Sequence, residues 1–543
     1  MKGKPKRSML WLIAQWVAAS VAVFALGVLI IRLANPLPPL EPRPASRHYT
    51  ETADTPLGQG VADLRSGHGE DSGIHMLIDG YDAFAARVLL ARAATRTLDV
   101  QYYIWHKDLS GTLMLEAMLD AAERGVRVRM LLDDNGIAGM DHVLAALDRH
   151  PNIEIRLFNP FVIRKPKMVG YATDFFRLNR RMHNKGIIAD NQAAVIGGRN
   201  VGDEYFSAAE GGLFADLDVL AIGPVVDHVS ADFDRYWASQ SAYPAERILS
   251  PPSDSDPDLI HRNASLVETS AAAREYVAAI KELPFIAQVL DGTLPFAWAP
   301  VRMLSDDPAK GVGKGKEDGL LMNTLHKAIG DPSSELRLIS GYFVPTQAGV
   351  DELGRLAERG VDTAVFTNAF EASDVWIVHA GYAHYRREML EKGVRVFEMR
   401  ASAVDGIDDR RRRLTSMGSG SGRRSDGGPV LRSSATTLHA KTFAVDRQKL
   451  FIGSFNFDPR SMHLNTEQGF VIESPALAGA VSDSFDSLIP GNAYEIVLTD
   501  DGELNWIERR DGLTIVHTKE PGTTAFQRGG IWLLSRLPIE WLL

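Results

Sequence analysis

The chain opens on an uninterrupted apolar run, MLWLIAQWVAASVAVFALGVLII from Met9 to Ile31, behind Lys2, Lys4, Lys6 and Arg7. Such a run predicts a single membrane-spanning helix, because about 20 apolar residues cross a hydrocarbon layer of about 30 Å. It is longer than the apolar core of a cleaved leader and has no small-x-small site behind it, so an uncleaved anchor is expected. The basic flank predicts that the N-terminus stays in the cytoplasm and the bulk of the chain lies across the membrane. Arg32, Arg43 and Arg47 after the span pull against that orientation. The next stretch, NPLPPLEPRPASR, is proline-rich and reads as a semi-rigid spacer.

Past the spacer the apolar pattern changes to short strands alternating with amphipathic helices. RTLDVQYYIW and MLDAAERGVRVRMLLDD predict strand, helix and strand over 96–134, and SELRLISGYFVP with LGRLAERGVDTAVFTNA repeats that order over 334–369. Both helices end at Glu-Arg-Gly-Val, where glycine suits the helix terminus and valine opens the next strand. Two βαβ units predict a duplicated α/β domain.

A second repeat carries the chemistry. In MHNKGIIADNQAAVIGGRN, Gly186 to Ala189 and Ala193 to Ile196 read as the arms of a hairpin, with His183 and Lys185 two apart on one strand face. LHAKTFAVDRQKLFIGSFN repeats it: His439, Lys441, Asp446, Gly453, Ser454 and Asn456 keep the spacing of His183, Lys185, Asp190, Gly197, Gly198 and Asn200. One copy is a short motif of low specificity. Two copies, each downstream of the same βαβ unit, are not. Each is followed by an acid on an expected strand, Asp216 in DLDVLAIGP and Glu467 in EQGFVIESP, placed to meet an imidazole.

Composition narrows the chemistry further. The chain has 543 residues, a formal net charge of -10 and no cysteine. Thiolate chemistry and Cys-based zinc sites are therefore excluded, and the acidic balance argues against a general nucleic-acid binder. Three lookalikes carry no chemistry. WHKD at 105–108 sets His106 and Lys107 on opposite strand faces and reads as a loop. GVGKGK at 311–316 lacks the remaining phosphate-loop residues and reads as a flexible loop. His379 and His384 are five apart on a helix, out of line for one metal. The Gly/Ser/Arg stretch from Asp408 to Pro429 reads as disordered, with a basic flap for anionic head groups as the sharper alternative. The tail GGIWLLSRLPIEWLL, with Trp532 and Trp541, can lie at a bilayer interface or pack on the domain.

Two His/Lys/Asn sets joined about a pseudo-twofold axis would surround one anion. Lys185 and Lys441 supply charge, while Asn200, Asn456 and Ser454 supply donors suited to a phosphodiester as charge builds in the transition state. One neutral histidine can attack phosphorus while the other, protonated, donates to the leaving alkoxide. Asp216 and Glu467 are candidates to fix the imidazole tautomers. The scheme requires no metal and no cofactor.

These residues resemble the paired HKD motifs of the phospholipase D superfamily. Within it the anchor, YYIW, AAERGV, GGRNVGDEYF, FIGSFNFDPRS with LNTE, and the tail are most similar to bacterial cardiolipin synthases of the C-type. The resemblance implies an α/β fold of two pseudo-symmetric phospholipase D-like lobes, each a mixed β-sheet flanked by helices. It places the anchor at 1–34, a spacer at 35–70, lobes at 71–250 and 299–500 around a connector at 251–298, and a C-terminal extension at 501–543. It also implies transfer of a phosphatidyl group between phospholipids, phosphatidylglycerol and possibly phosphatidylethanolamine, by a protein of the bacterial inner membrane with a periplasmic catalytic part and no nucleic-acid partner. His183 is then the nucleophile and His439 the acid/base, with Asp190 and Asp446 ranked below them as structural members of the motif. Hydrolysis of the same lipids, nuclease action and a non-enzymatic scaffold are the competing readings.

Overall fold

The computed structural model describes residues 9–209, 214–251, 258–373, 375–401, 437–510, 512–537 and 540. The stretch Asp408 to Pro429 and Trp541 lie outside the described residues.

Two mixed sheets form the body. The first has nine strands: β1 (Ser72–Leu77), β2 (Thr97–Ile104), β3 (Arg127–Gly136), β4 (Ile153–Phe158), β5 (Gly186–Ala189), β6 (Ala193–Gly197), β8 (Asp218–Ile222), β9 (Ala242–Pro244) and β10 (Ala297–Ala299), in the order β10-β1-β8-β6-β5-β2-β3-β4-β9. The second has ten: β11 (Val301–Ser305), β12 (Glu335–Ser340), β13 (Asp362–Asn368), β14 (Arg395–Met399), β16 (Lys441–Val445), β17 (Lys449–Gly453), β18 (Gln468–Ile472), β19 (Ala493–Leu498), β20 (Leu504–Arg510) and β21 (Leu513–His517). Their order is β11-β18-β17-β16-β12-β13-β14-β19-β20-β21. Each sheet holds a parallel trio, β2-β3-β4 and β12-β13-β14, in which a βαβ unit supplies the first two strands and β4 or β14 adds the third. Gly125 and Gly360, just past the two crossover helices, adopt φ of 92° and 87°, which favours glycine over any residue with a Cβ. The chain passes from one sheet to the other between β10 and β11, and the second sheet continues beyond residue 500 through β20 and β21.

The hairpins form as the pattern predicts. Asp190-Asn191 and Asp446-Arg447 have positive φ at the two central positions of a turn within a three-residue loop, the primed geometry whose twist matches the flanking strands. Each aspartate then collects backbone donors from the strand beside it. Asp190 accepts from the N–H groups of Thr95, Arg96 and Thr97, and Asp446 from those of Ser333, Ser334 and Glu335.

Each lobe has its own apolar core, and a third cluster joins them. Ile188, Ile196 and Val219 of the first sheet meet Leu450, Ile452, Phe470 and Ile472 of the second, with Phe233 and Trp237 of the helix Val225–Trp237. Burial of several such side chains, each contributing about 1.5–3 kcal/mol, holds the lobes together. At one end of this interface lies a small parallel ladder of β7 (Phe214–Ala215) from the first lobe and β15 (Thr437–Leu438) from the second.

Residues assigned to a spacer lie along the first lobe. Arg43 donates to the carbonyls of Ser239 and Ala242, Arg156 to that of Pro44, and the helix Pro56–Leu64 buries Val61. GVGKGK also departs from its expected flexibility. Gly311 is buried in a short 3-10 helix, Pro308–Val312, where a Cβ would meet the Phe158 ring at 2.5 Å. Close packing requires glycine there.

Candidate active site

The two histidines stand just before the hairpins, on extended segments that pair with the opposite lobe. The His183 N–H donates to the Thr466 carbonyl at 2.9 Å, and the His439 N–H to that of Ala215 at 2.8 Å. This register puts the acid that follows each acceptor beside the histidine across the interface. Glu467 Oε2 lies 2.8 Å from His183 Nδ1, and Asp216 Oδ2 lies 2.5 Å from His439 Nδ1. The acids are thus exchanged between lobes. Each histidine is held by a carboxylate from the other half, so the lobes form one site.

The lysines follow at the strand starts. Lys185 Nζ donates to the His183 carbonyl at 2.5 Å and lies 5.3 Å from the centre of the Tyr103 ring. Lys441 Nζ lies 2.9 Å from His439 Nδ1 and also donates to the His439 carbonyl. Tyr103 stands edge-on to His183 and Tyr205 edge-on to His439.

Burial and like charge dominate the electrostatics. Desolvation, followed by Lys185 and Lys441, holds His183 well below the usual histidine range. Desolvation and Lys441, only partly offset by Asp216, push His439 down to about 3. Burial lowers Lys185 strongly as well. The acids diverge: His439 and Lys441 overcome the burial of Asp216 and hold it below the carboxylate range, whereas burial raises Glu467 to about 7 against Lys185, Ser454 and Ser461.

The neighbours of the acids differ too. Ser454 Oγ donates to Glu467 Oε2 at 2.5 Å and Ser461 Oγ to Glu467 Oε1 at 2.8 Å. At the matching place in the first hairpin, Gly198 lies so close to Asp216 that a Cβ would meet Oδ1 at 2.1 Å. Asn200 is engaged internally, accepting from the Ile104 N–H and donating to the Tyr205 hydroxyl. Asn456 Oδ1 is buried without a hydrogen-bond partner among the described residues. Asp190 and Asp446 face the backbone that leads into β2 and β12, not the histidines.

Sequence reasoning did not single out Tyr103, Tyr205, Ser461 or Asp306. Asp306 accepts from the Glu467 N–H and from Lys310 Nζ, both at 2.9 Å, and so anchors the strand start that carries Glu467. Tyr103, Tyr205 and Ser461 fall inside YYIW, GGRNVGDEYF and FIGSFNFDPRS; Asp306 carries no motif signal. His379 is buried against Glu520 at 2.7 Å and stands apart from this set.

A buried set of paired histidines and lysines suits nucleophilic attack on an anionic ester, with fixed charge to stabilise the transition state. Comparison with known proteins points the same way. A family profile described as "Cardiolipin synthase, PLD-like domain" matches residues 89–237 and 325–489. The chain is 46% identical over 487 residues to cardiolipin synthase C of Escherichia coli K12, covering 90% of this chain and 99% of that one. It is 24% identical over 452 residues to cardiolipin synthase A of Proteus mirabilis, covering 80% and 73%. Among solved structures, phosphatidylserine synthase of Haemophilus influenzae shares the fold, with a TM-score of 0.54, 12% identity and coverage of 89% of this chain and 100% of that one.

Proposed function

Because the chain belongs to the cardiolipin synthase family of phospholipase D-like proteins, we propose that it is a membrane-anchored phosphatidyltransferase that forms cardiolipin through a phosphohistidine. The observation that carries the reading is the exchange of acids: each histidine is completed by the other lobe, so two differently tuned imidazoles face one substrate.

Glu467 occupies Nδ1 of His183, which leaves Nε2 to attack phosphorus of the donor lipid, phosphatidylglycerol. The bond from phosphorus to the glycerol headgroup breaks, and the departing alkoxide takes a proton from His439. His439 then accepts the proton of a second phosphatidylglycerol hydroxyl, whose oxygen attacks phosphorus and releases His183. Cardiolipin and glycerol leave; with phosphatidylethanolamine as donor the first leaving group is ethanolamine. Lys185 and Lys441 neutralise the phosphoryl oxygens and Asn456 orients them, while Asn200 holds Tyr205 beside His439. The lysine charge that depresses His439 in the empty site is offset when the phosphodiester anion enters, so lipid binding raises His439 toward the protonated form needed for an acid. His183, kept neutral, is the nucleophile, and the pair gives a bell-shaped pH profile.

The helix Met9–Ala34 anchors the protein in a membrane. The basic residues before it favour the inner membrane with the lobes on the periplasmic side.

The test supplies purified full-length protein with bilayers of phosphatidylglycerol, with and without phosphatidylethanolamine, and follows cardiolipin and phosphatidic acid. Wild type is expected to make cardiolipin, and His183→Ala and His439→Ala to fall by about 1,000-fold or more. Labelled lipid is expected to leave phosphoenzyme on His439→Ala and none on His183→Ala. Phosphatidic acid without cardiolipin would replace transfer by hydrolysis.

A further inference from the structure

The segment Met168–Leu178 is helical on either side of a break at Asp174, where φ of -150° and ψ of 47° leave the helical region, and it holds two large apolar side chains outward: Met168 is 56% exposed and Phe176 82% exposed. On a segment bathed in water such positions would be polar. The inner face is fixed, with Gly170 against Phe161 and Leu178, and the Tyr171 hydroxyl donating to Asn135 at 2.9 Å. The outward side chains are therefore held in place rather than left to collapse inward.

Two further observations say what covers them. The membrane-spanning helix Met9–Ala34 lies against this same segment, so Met168 and Phe176 stand on an element beside one committed to lipid. Lys165, exposed just before the helix, supplies a cation at the level of anionic head groups. The helix also leads straight to the chemistry: its chain runs through Asn179, Arg180, Arg181 and Met182 into His183, and Tyr171, Asn135 and Tyr103 form a contact path to the His183 ring.

We propose that the helix Met168–Leu178 docks in the interface of the phospholipid bilayer, with Met168 and Phe176 among the acyl chains, and so sets the His183 side of the cleft at the membrane surface where lipid enters. This rests on the phospholipid-transfer reading only for its effect on turnover.

The chain has no cysteine, so Phe176→Cys and Glu352→Cys each give one labelling site in the full-length protein; Glu352 lies on a polar helix face of the second lobe. With an environment-sensitive probe in phosphatidylglycerol/phosphatidylethanolamine vesicles, quencher-bearing lipid is expected to dim position 176 by about threefold and leave 352 unchanged, with aqueous iodide doing the reverse. Iodide quenching at 176 equal to that at 352 would overturn the proposal. As a second measurement, Phe176→Ser is expected to lower turnover of bilayer lipid by about tenfold while leaving short-chain monomeric phosphatidylglycerol unaffected. An equal loss on both substrates would make the helix a support of the site and overturn docking. If wild type turns over neither lipid, the transfer reading falls, and the quenching still decides where the helix sits.

Discussion

The two halves of the site are built from one pattern and finished differently. In the first hairpin Gly198 leaves room for Asp216, a short acid kept ionised against His439. In the second, Ser454 occupies the matching place and donates to Glu467, a longer acid raised by burial to about 7 and held against His183. A twofold repeat would give two identical imidazoles, but an attack followed by proton donation needs unlike ones. The comparison teaches that one methylene and one hydroxyl, both added on the same side of the pseudo-axis, are enough to separate the roles.

The largest test of that contrast removes the charge from each acid. Asp216→Asn is expected to lower phosphatidyl transfer by about 1,000-fold, because the imidazolium of His439 loses the carboxylate charge held against its Nδ1. Glu467→Gln is expected to cost about tenfold near neutral pH, where Glu467 is already partly protonated. Steady-state transfer rates of the two variants measure the difference. Equal losses would remove the asymmetry.

A smaller contrast concerns the turns. Asp190 is fully buried and Asp446 half-exposed, although both accept three backbone N–H groups. Leaving buried donors unpaired costs more than leaving donors that water can reach, so Asp190→Ala is expected to destabilise by about 3 kcal/mol and Asp446→Ala by about 1 kcal/mol in urea unfolding. Asp446 is held down to about 2 because backbone donors from Ser334 and Glu335 outweigh its burial. Its contribution is therefore present above the ordinary aspartate range and lost as pH falls toward 2.

Much of this was legible in the sequence, for physical reasons that also mark the limits. The βαβ units and hairpins are local, encoded in alternation, a C-terminal glycine and an aspartate at the turn, and they form where the pattern puts them. Asp216 and Glu467 were visible as acids expected on strands, and they stand instead just before β8 and β18; their exchange was not visible, because it depends on register between segments 223 and 284 residues apart. Ser454 carried a donor in both readings; only the fold shows that donor directed at Glu467. GVGKGK resembled a flexible loop because glycine-rich composition does not distinguish freedom from close packing, and Gly311 is packed. Met168 to Leu178 gave no catalytic signal because a surface helix is judged by what covers it.

The finest contrast exchanges the residues beside the acids. Gly198→Ser would drive a Cβ into Asp216 Oδ1; the carboxylate must move off His439, and transfer is expected to fall by about 100-fold. Ser454→Gly makes no clash and removes one donor to Glu467. That donor favours the ionised carboxyl, so its loss moves the Glu467 pKa above about 7. Ionised Glu467 accepts the Nδ1 proton of His183 and leaves Nε2 able to attack, whereas protonated Glu467 favours the other tautomer. The acid limb of the pH–rate profile is therefore expected to move to higher pH in Ser454→Gly, with the plateau rate nearly unchanged, and to flatten in Glu467→Gln. A limb that stays in place in Ser454→Gly would show that a group other than Glu467 governs it, and the division of labour between the two lobes would have to be carried by the histidines and lysines alone.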